Sequence, residues 1–372
     1  MKYNIWNKWD PLKVCMLGNN YAPEFFNGIP DKAGDPLKRI CEETLEDLEG
    51  FKRILQDFGV NVIQPDMDRS ERFLDNPSRY PRGPLQPRDQ QLVLGNTCIT
   101  NSKDHPSIGQ TLVKYCESDI VFTKDLPLPE HKYNEVACFE SGDWPTYADY
   151  SKGAKLKDFV KQEITDLEFF CFPISSANSF LLNNRLLIGL EYDYILDAKS
   201  SIEDIIKSNL NNDITIEYTS MDGHIDANFH PIKPGALLSL YDVQNYNETF
   251  PGWDVCYLPD QSWNKVKPFS ELKKKNKGKW WLAGEEDNDE FTHFVETWLQ
   301  DWVGYVEETV FDVNVLVLDK HHVCVSNSQN QKVNAFLKKH NMEPVYVPWR
   351  HRYFWDGGLH CITLDLQREG KK

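Results

Sequence analysis

The sequence predicts an α/β fold assembled from a repeated strand-rich unit, and three stretches carry that expectation. A strand, a long helix and a second strand follow one another between Lys13 and Ile63. Two strands, a helix and a third strand do so between Val313 and Val347. Between these lie Phe180-Leu181-Leu182 and Arg185-Leu186-Leu187-Ile188-Gly189, joined by Asn183-Asn184 as a hairpin, because asparagine tolerates the positive φ of a tight turn. A similar module at both ends of the chain points to internal repetition.

Each element has a local cause. Trp9-Asp10-Pro11-Leu12 is a turn, and Lys13-Val14-Cys15-Met16-Leu17-Gly18 a strand closed by glycine. Leu37, Ile40, Thr44, Leu48, Phe51, Leu55 and Phe58 then recur at helical spacing and make one core-facing stripe. Asp35 is placed as its N-cap, Pro36 in its first turn, and Gly59 where a C′ glycine belongs. Val60 to Ile63 alternates as a strand. Gly83-Pro84-Leu85-Gln86-Pro87-Arg88-Asp89 runs into Leu92-Val93-Leu94-Gly95-Asn96, which puts Asp89 at the mouth of a strand. Residues 101–170 are expected to be irregular, with turns at Gly142-Asp143 and Trp144-Pro145. Gly223-His224-Ile225-Asp226-Ala227-Asn228-Phe229 alternates polar and apolar, which places His224 and Asp226 on one face of a strand. Pro234-Gly235 turns it into Ala236-Leu237-Leu238-Ser239-Leu240. In the last module Val313 to Leu318 is a strand, Asp319-Lys320 a turn, Val323-Cys324-Val325 a strand, Lys332 to Lys339 a helix and Val345-Tyr346-Val347 a strand.

Composition narrows the partners. At 372 residues the chain has room for one large domain or two, and an aromatic share of 13% indicates a sizeable core. A formal charge of −16 repels nucleic-acid phosphates, so no nucleic-acid partner is expected. Met1 to Trp6 holds no apolar signal segment and no window reaches membrane-spanning length, which leads us to expect a cytoplasmic protein away from membranes. Nine scattered cysteines without Cys-x-x-Cys pairs suit reduced thiols better than disulfides or zinc. The basic run Lys273 to Lys279 faces the acidic run Glu285 to Glu290 and reads as a solvated surface loop, and His321-His322 as surface with no metal set around it.

Chemistry gathers at four positions. Trp355-Asp356-Gly357-Gly358-Leu359-His360-Cys361 delivers a thiol from a glycine turn at the start of the apolar run Ile362-Thr363-Leu364. Cys361 with His224 supplies a nucleophile and a general acid/base. Asp89 and Asp226 add carboxylates without a metal pattern, and paired carboxylates suit a planar, permanently charged guanidinium.

The blocks Trp9-Asp10-Pro11-Leu12, Pro87-Arg88-Asp89 with Gly95-Asn96, Gly223 to Phe229 with Pro234-Gly235, Asn314 to Asp319, and Gly357-Gly358-Leu359-His360-Cys361 resemble those of the amidinotransferases, in the same order and over nearly the whole chain. The resemblance implies a pentein fold: one domain over residues 1–372, with five strand-rich modules around a pseudo-fivefold axis and the site in the central channel. It implies that Cys361 receives the amidino group of arginine, that His224 serves the leaving and incoming amines, and that Asp89 and Asp226 hold the guanidinium. Ornithine would leave, and an acceptor amine (glycine or another) would take the group, with no cofactor or metal. A homodimer with small-molecule substrates is also what the family implies.

The chain departs from the family pattern in two places. Ile174-Ser175-Ser176-Ala177-Asn178 stands where the family has Phe-Asp-Ala-Ala-Asp or -Asn, so Ser175 replaces the acid that orients the histidine, with Asn178 at the end of the window. A second alignment puts Phe139-Glu140-Ser141 there and restores a carboxylate with Glu140. On the carboxylate-binding side, Val243 aligns with an arginine, and Glu307 and Glu308 with paired serines, which leaves a polyamine-like acceptor open beside glycine. A guanidine hydrolase of the deiminase type and a non-catalytic pentein remain as alternatives.

Overall fold

The computed structural model describes residues 1–75, 82–89, 91–100, 106–116, 120–122, 132–133, 136–139, 161–164, 167–168, 174–190, 199–209, 214–220, 224–240, 246–258, 281–299, 302–303 and 312–370. Its strands form five three-stranded sheets of one design: a central strand with an antiparallel neighbour on one side and a parallel neighbour on the other. In the first sheet Leu12–Leu17 lies between the chain's last strand, Thr363–Arg368, and Asn61–Ile63. The others combine Gln91–Leu94, Thr97–Thr100 and Ile120–Phe122; Ser179–Leu182, Arg185–Leu190 and Thr215–Ser220; Phe229–Lys233, Ala236–Leu240 and Asp254–Leu258; and Leu316–Val317, His322–Val325 and Glu343–Tyr346. A helix lies between the central strand and its parallel partner in every case: Asp31–Asp57, Pro106–Tyr115, Lys199–Asn209, Tyr246–Thr249 and Gln331–Lys339. Parallel neighbours need such a crossover, whereas antiparallel neighbours can close through a short turn, as they do in every sheet but the first, whose antiparallel partner is the chain's last strand. Asn183 (φ 64°) and Gly235 (φ 82°) make two of those turns, as expected. Two short two-stranded ladders, Lys132–Tyr133 with Leu167–Glu168 and Val136–Phe139 with Lys161–Ile164, stand outside the five sheets.

The long helix shows what the sequence anticipated and what it did not. Leu37, Ile40, Thr44, Leu48, Phe51 and Leu55 are buried along one face, each aliphatic or aromatic member stabilising the fold by roughly 1.5–3 kcal/mol. Phe58 leaves the stripe: it is the C-cap residue, 37% exposed, with its ring against His322. Gly59 (φ 77°) is the C′ residue; its N–H reaches Gln56 O, and Val60 N–H reaches Leu55 O, which is a Schellman closure. The helix begins at Asp31, not after Asp35, because the carbonyl of Pro30 takes the N–H groups of Ala33 and Gly34. Pro36 therefore sits inside the helix, where it has no N–H for Lys32 O. Asn288 Nδ2 takes that carbonyl instead, while Asn288 Oδ1 caps the helix Asp289–Trp298 through Phe291 N–H at 3.0 Å.

Three further expectations change. The stretch 101–170 contains the helix Pro106–Tyr115, whose Ile108 and Leu112 are buried one turn apart, and several strands. Residues 224–228 are not a strand. Ile225–Asn228 is one helical turn, tied by Ala227 N–H and Asn228 Nδ2 to His224 O, and the strand starts at Phe229. Only Leu316–Val317 pairs in the last module's first strand, because Val315 N–H turns back to Val313 O. The basic run Lys273 to Lys279 lies outside the described residues. Seven cysteines are free among the described residues, and no helix there is long and apolar enough to cross a membrane.

Candidate active site

The loop that carries Cys361 is held from several sides. Asp356 ends the turn Arg352–Trp355 in the left-handed region (φ 50°) and directs the chain into Gly357-Gly358. A Cβ on Gly357 would strike Gln86 Nε2, and one on Gly358 would strike Asn314, so each glycine makes room for one side-chain amide. Gln86 donates to Trp355 O at 2.8 Å and Asp356 O at 3.0 Å. Trp349 Nε1 donates to Gly357 O at 2.7 Å. Arg88, fully buried, donates from Nε to His360 O (2.8 Å) and Thr363 O (2.9 Å), the two carbonyls that bracket Cys361. Its Nη2 meets Asp365 Oδ1 at 2.8 Å.

Asn314 completes the loop's support. Its Oδ1 accepts from His360 N–H (2.9 Å) and Cys361 N–H (3.1 Å); its Nδ2 donates to Cys361 Sγ (3.1 Å) and Asp226 O (3.2 Å).

Cys361 Sγ lies 3.9 Å from Asp226 Oδ2, and the same oxygen is 2.6 Å from His360 Nδ1. Burial, with Arg88, His230 and Lys8 nearby, holds His360 well below its ordinary pKa, so the neutral ring donates Nδ1–H to the carboxylate. Asp226 Oδ1 is buried with no hydrogen-bond partner among the described residues. A carboxylate oxygen left this way is costly unless something occupies it, and a cationic donor is what it suits. Burial is also the main reason that Asp226 is pushed up to about 6; Asp89 adds to the rise, and His224, Arg88 and Lys8 oppose it.

His224 stands at the head of the Ile225–Asn228 turn, about a third exposed, with Nδ1 4.0 Å from Asp89 Oδ1. Asp89 Oδ2 also accepts from Arg82 Nη2 at 3.4 Å. Burial raises the Cys361 thiol well above its ordinary pKa, the negative charges of Asp226 and Asp89 raise it further, and hydrogen bonds from Gly358 and Asn314 oppose both. Burial and the two carboxylates thus favour the neutral thiol. A cation placed there reverses that balance.

The structure thus brings Cys361, His224, Asp89 and Asp226 into one neighbourhood. Ser175 and Asn178 lie in the buried loop before the Ser179–Leu182 strand, and that loop supports the site from behind: Ala177 O accepts Asp226 N–H at 3.3 Å. The Ser175 hydroxyl accepts from Ala177 N–H at 3.2 Å and so serves its own turn. Glu140, Val243, Glu307 and Glu308 lie outside the described residues. Sequence reasoning assigned no role to Asn314, His360, Arg88 or Gln86, although each falls inside a stretch it singled out. A lone asparagine at the head of the apolar run Val315 to Leu318 was the one available signal for Asn314.

The fold is a mixed α/β fold shared with solved amidinotransferases. The structure superposes on the saxitoxin-pathway amidinotransferase SxtG of Microseira wollei with a TM-score of 0.62 at 17% identity, covering 99% of this chain and 98% of that one. It superposes on the inosamine-phosphate amidinotransferase of Streptomyces griseus with 0.60 at 18%, covering 99% and 97%. No family model matches the chain. Full-length similarity does reach curated proteins. An L-arginine:L-lysine amidinotransferase of Pseudomonas savastanoi pv. phaseolicola is 24% identical over 92% of this chain and 83% of its own. Inosamine-phosphate amidinotransferase 1 of Streptomyces glaucescens is 22% identical over 99% and 97%. The mitochondrial glycine amidinotransferase of Xenopus laevis is 23% identical over 98% and 82%. Over nearly its whole length the chain is thus similar to amidinotransferases, at 22–24% identity to these three.

Proposed function

We propose that the protein moves the amidino group of L-arginine through a covalent S-amidino-Cys361 to an amine, releasing ornithine. The observation that carries this reading is the buried thiol 3.9 Å from a carboxylate whose other oxygen has no partner among the described residues. Guanidinium seated on Asp226 Oδ1 and on Asp89 offsets the anions that keep the thiol protonated. The thiol proton then passes to His224. Sulfur attacks the guanidinium carbon and forms a C–S bond; the carbon–nitrogen bond to the ornithine amine breaks as the His224 imidazolium returns the proton to that nitrogen. The acceptor amine next gives its proton to His224 and attacks the amidino carbon, and the C–S bond breaks as the His224 imidazolium passes that proton to the departing sulfur, which restores the thiol. On this reading the five sheets are five modules around a pseudo-fivefold axis in one domain of residues 1–372, with Cys361 near its centre.

The acceptor is an amine of open identity. The three relatives named above carry lysine, glycine and inosamine phosphate in their names, so kinship at 22–24% identity does not choose among them. Incubation with arginine and a panel of amines tests the reading directly. Ornithine with a new guanidino compound is the expected product pair; citrulline instead would mean that water takes the acceptor's place and would overturn transfer.

A pH profile follows from Asp226. Its folded pKa is raised to about 6, so the proton is bound below that pH and the carboxylate loses its hold on a cation as pH falls. The acid limb of kcat/KM, which reports the free enzyme, is expected to have its midpoint near pH 6. A profile that stays flat down to the ordinary aspartate range, about 3.9, contradicts the assignment.

A further inference from the structure

We infer that Asn314 is itself a catalytic residue, whose side-chain N–H holds the thiolate form of Cys361. The inference rests on reading Cys361 as the nucleophile and adds a residue that acts on its sulfur. All four hydrogen-bonding positions of this buried amide are occupied, and the occupants determine its orientation. Two backbone N–H groups, from His360 and Cys361, can be met only by the amide oxygen. The Asp226 carbonyl can be met only by an N–H. The remaining N–H is directed at Sγ, 3.1 Å away. A rotated amide would set its NH2 against two donors, so the direction of the bond follows from its neighbours.

Clamping the loop requires the oxygen alone. The N–H on sulfur adds nothing to that clamp, but it does distinguish the two protonation states of the thiol. A hydrogen bond is about twice as strong to an ionised partner as to a neutral one, so this donor favours S⁻ over SH. It works where such help matters, because Asp226 and Asp89 both oppose the thiolate. Gly358 belongs to the same device: any side chain there would strike Asn314 and push the amide off the sulfur.

Asn314→Asp separates the clamp from the donor. It keeps the shape and an oxygen for both backbone N–H groups, but it sets an anionic acceptor against Sγ. The measurement is the rate of Cys361 alkylation by iodoacetamide as a function of pH, read by peptide mass spectrometry. At any given pH the variant is expected to react at least about tenfold more slowly, a displacement of roughly one pH unit. Asn314→Ser, too short to reach the sulfur, should move the line in the same direction by a smaller amount. Coincident lines for wild type and either folded variant overturn the inference. So does failure of both variants to fold, which would make the amide a structural clamp and no more. The arginine adduct on wild-type Cys361 is scored separately. If that adduct never forms while the alkylation lines remain displaced, amidino transfer falls and the role of Asn314 stands.

Discussion

Cys361→Ala is expected to lower arginine turnover by about 10⁴-fold or more and to abolish any arginine-derived mass on the protein. The size follows from the role proposed for the residue: without sulfur no C–S bond can form, and neither His224 nor the carboxylates offer a substitute nucleophile. Cys361→Ser should fare little better. Its hydroxyl occupies the same position, but an alcohol is far harder to ionise than a thiol, and Asp226 stands where it resists any anion. Neither change should disturb the fold much, since the loop is held by Gln86, Arg88, Trp349 and the oxygen of Asn314 rather than by the sulfur. Intact-protein mass spectrometry after an arginine pulse gives the covalent readout, and ornithine release gives turnover. Retention of turnover within tenfold of wild type in Cys361→Ala would remove the covalent mechanism altogether.

How far the sequence foretold this site depends on the kind of residue. Local signals were dependable where one residue type is demanded by backbone geometry: Asn183, Gly235 and Gly59 all have positive φ where turns or a helix end were expected. They failed where a distant group resolves a local conflict. Pro36 looks like a helix start, and only Asn288, far along the chain, lets it sit inside the helix. His224-Ile225-Asp226 alternates like a strand, yet Ala177 O holds Asp226 N–H in a helical turn. The turn separates the two side chains, leaving His224 partly exposed and Asp226 fully buried. The four residues proposed to do the chemistry were legible because their types are chemically distinctive. Asn314 and Arg88 were not, because amides and arginines occur everywhere and their roles arise from carbonyls and N–H groups that pattern does not reveal. Of the two, Arg88 has the larger consequence for the fold.

Arg88→Met is expected to destabilise the protein by about 3–5 kcal/mol, a large share of the total for an ordinary domain. The side chain fills one of the most buried positions in the molecule and makes three hydrogen bonds there. Its loss would take a donor from the Thr363 carbonyl, a partner from Asp365, and one of three donors from the His360 carbonyl, which keeps the Thr363 N–H and hydroxyl. Burial opposes the charge of that carboxyl, yet Arg368, Lys8 and Arg88 together hold it well below the ordinary range. Arg368 Nε remains at 2.8 Å, so Asp365 is not stranded and the variant should still fold. Arg88→Lys should recover little, because a single ammonium cannot span two carbonyls and a carboxylate as the guanidinium fork does. Urea denaturation of the three proteins measures the cost, and a loss below about 1 kcal/mol would show the bridge to be dispensable. A second readout separates mere stability from support of the site. Arg88 also helps hold down the Asp226 pKa, so in the Met variant the acid limb of kcat/KM should move to higher pH. If stability falls while that limb stays in place, Arg88 braces the loop without acting on the carboxylate that the proposed mechanism needs ionised.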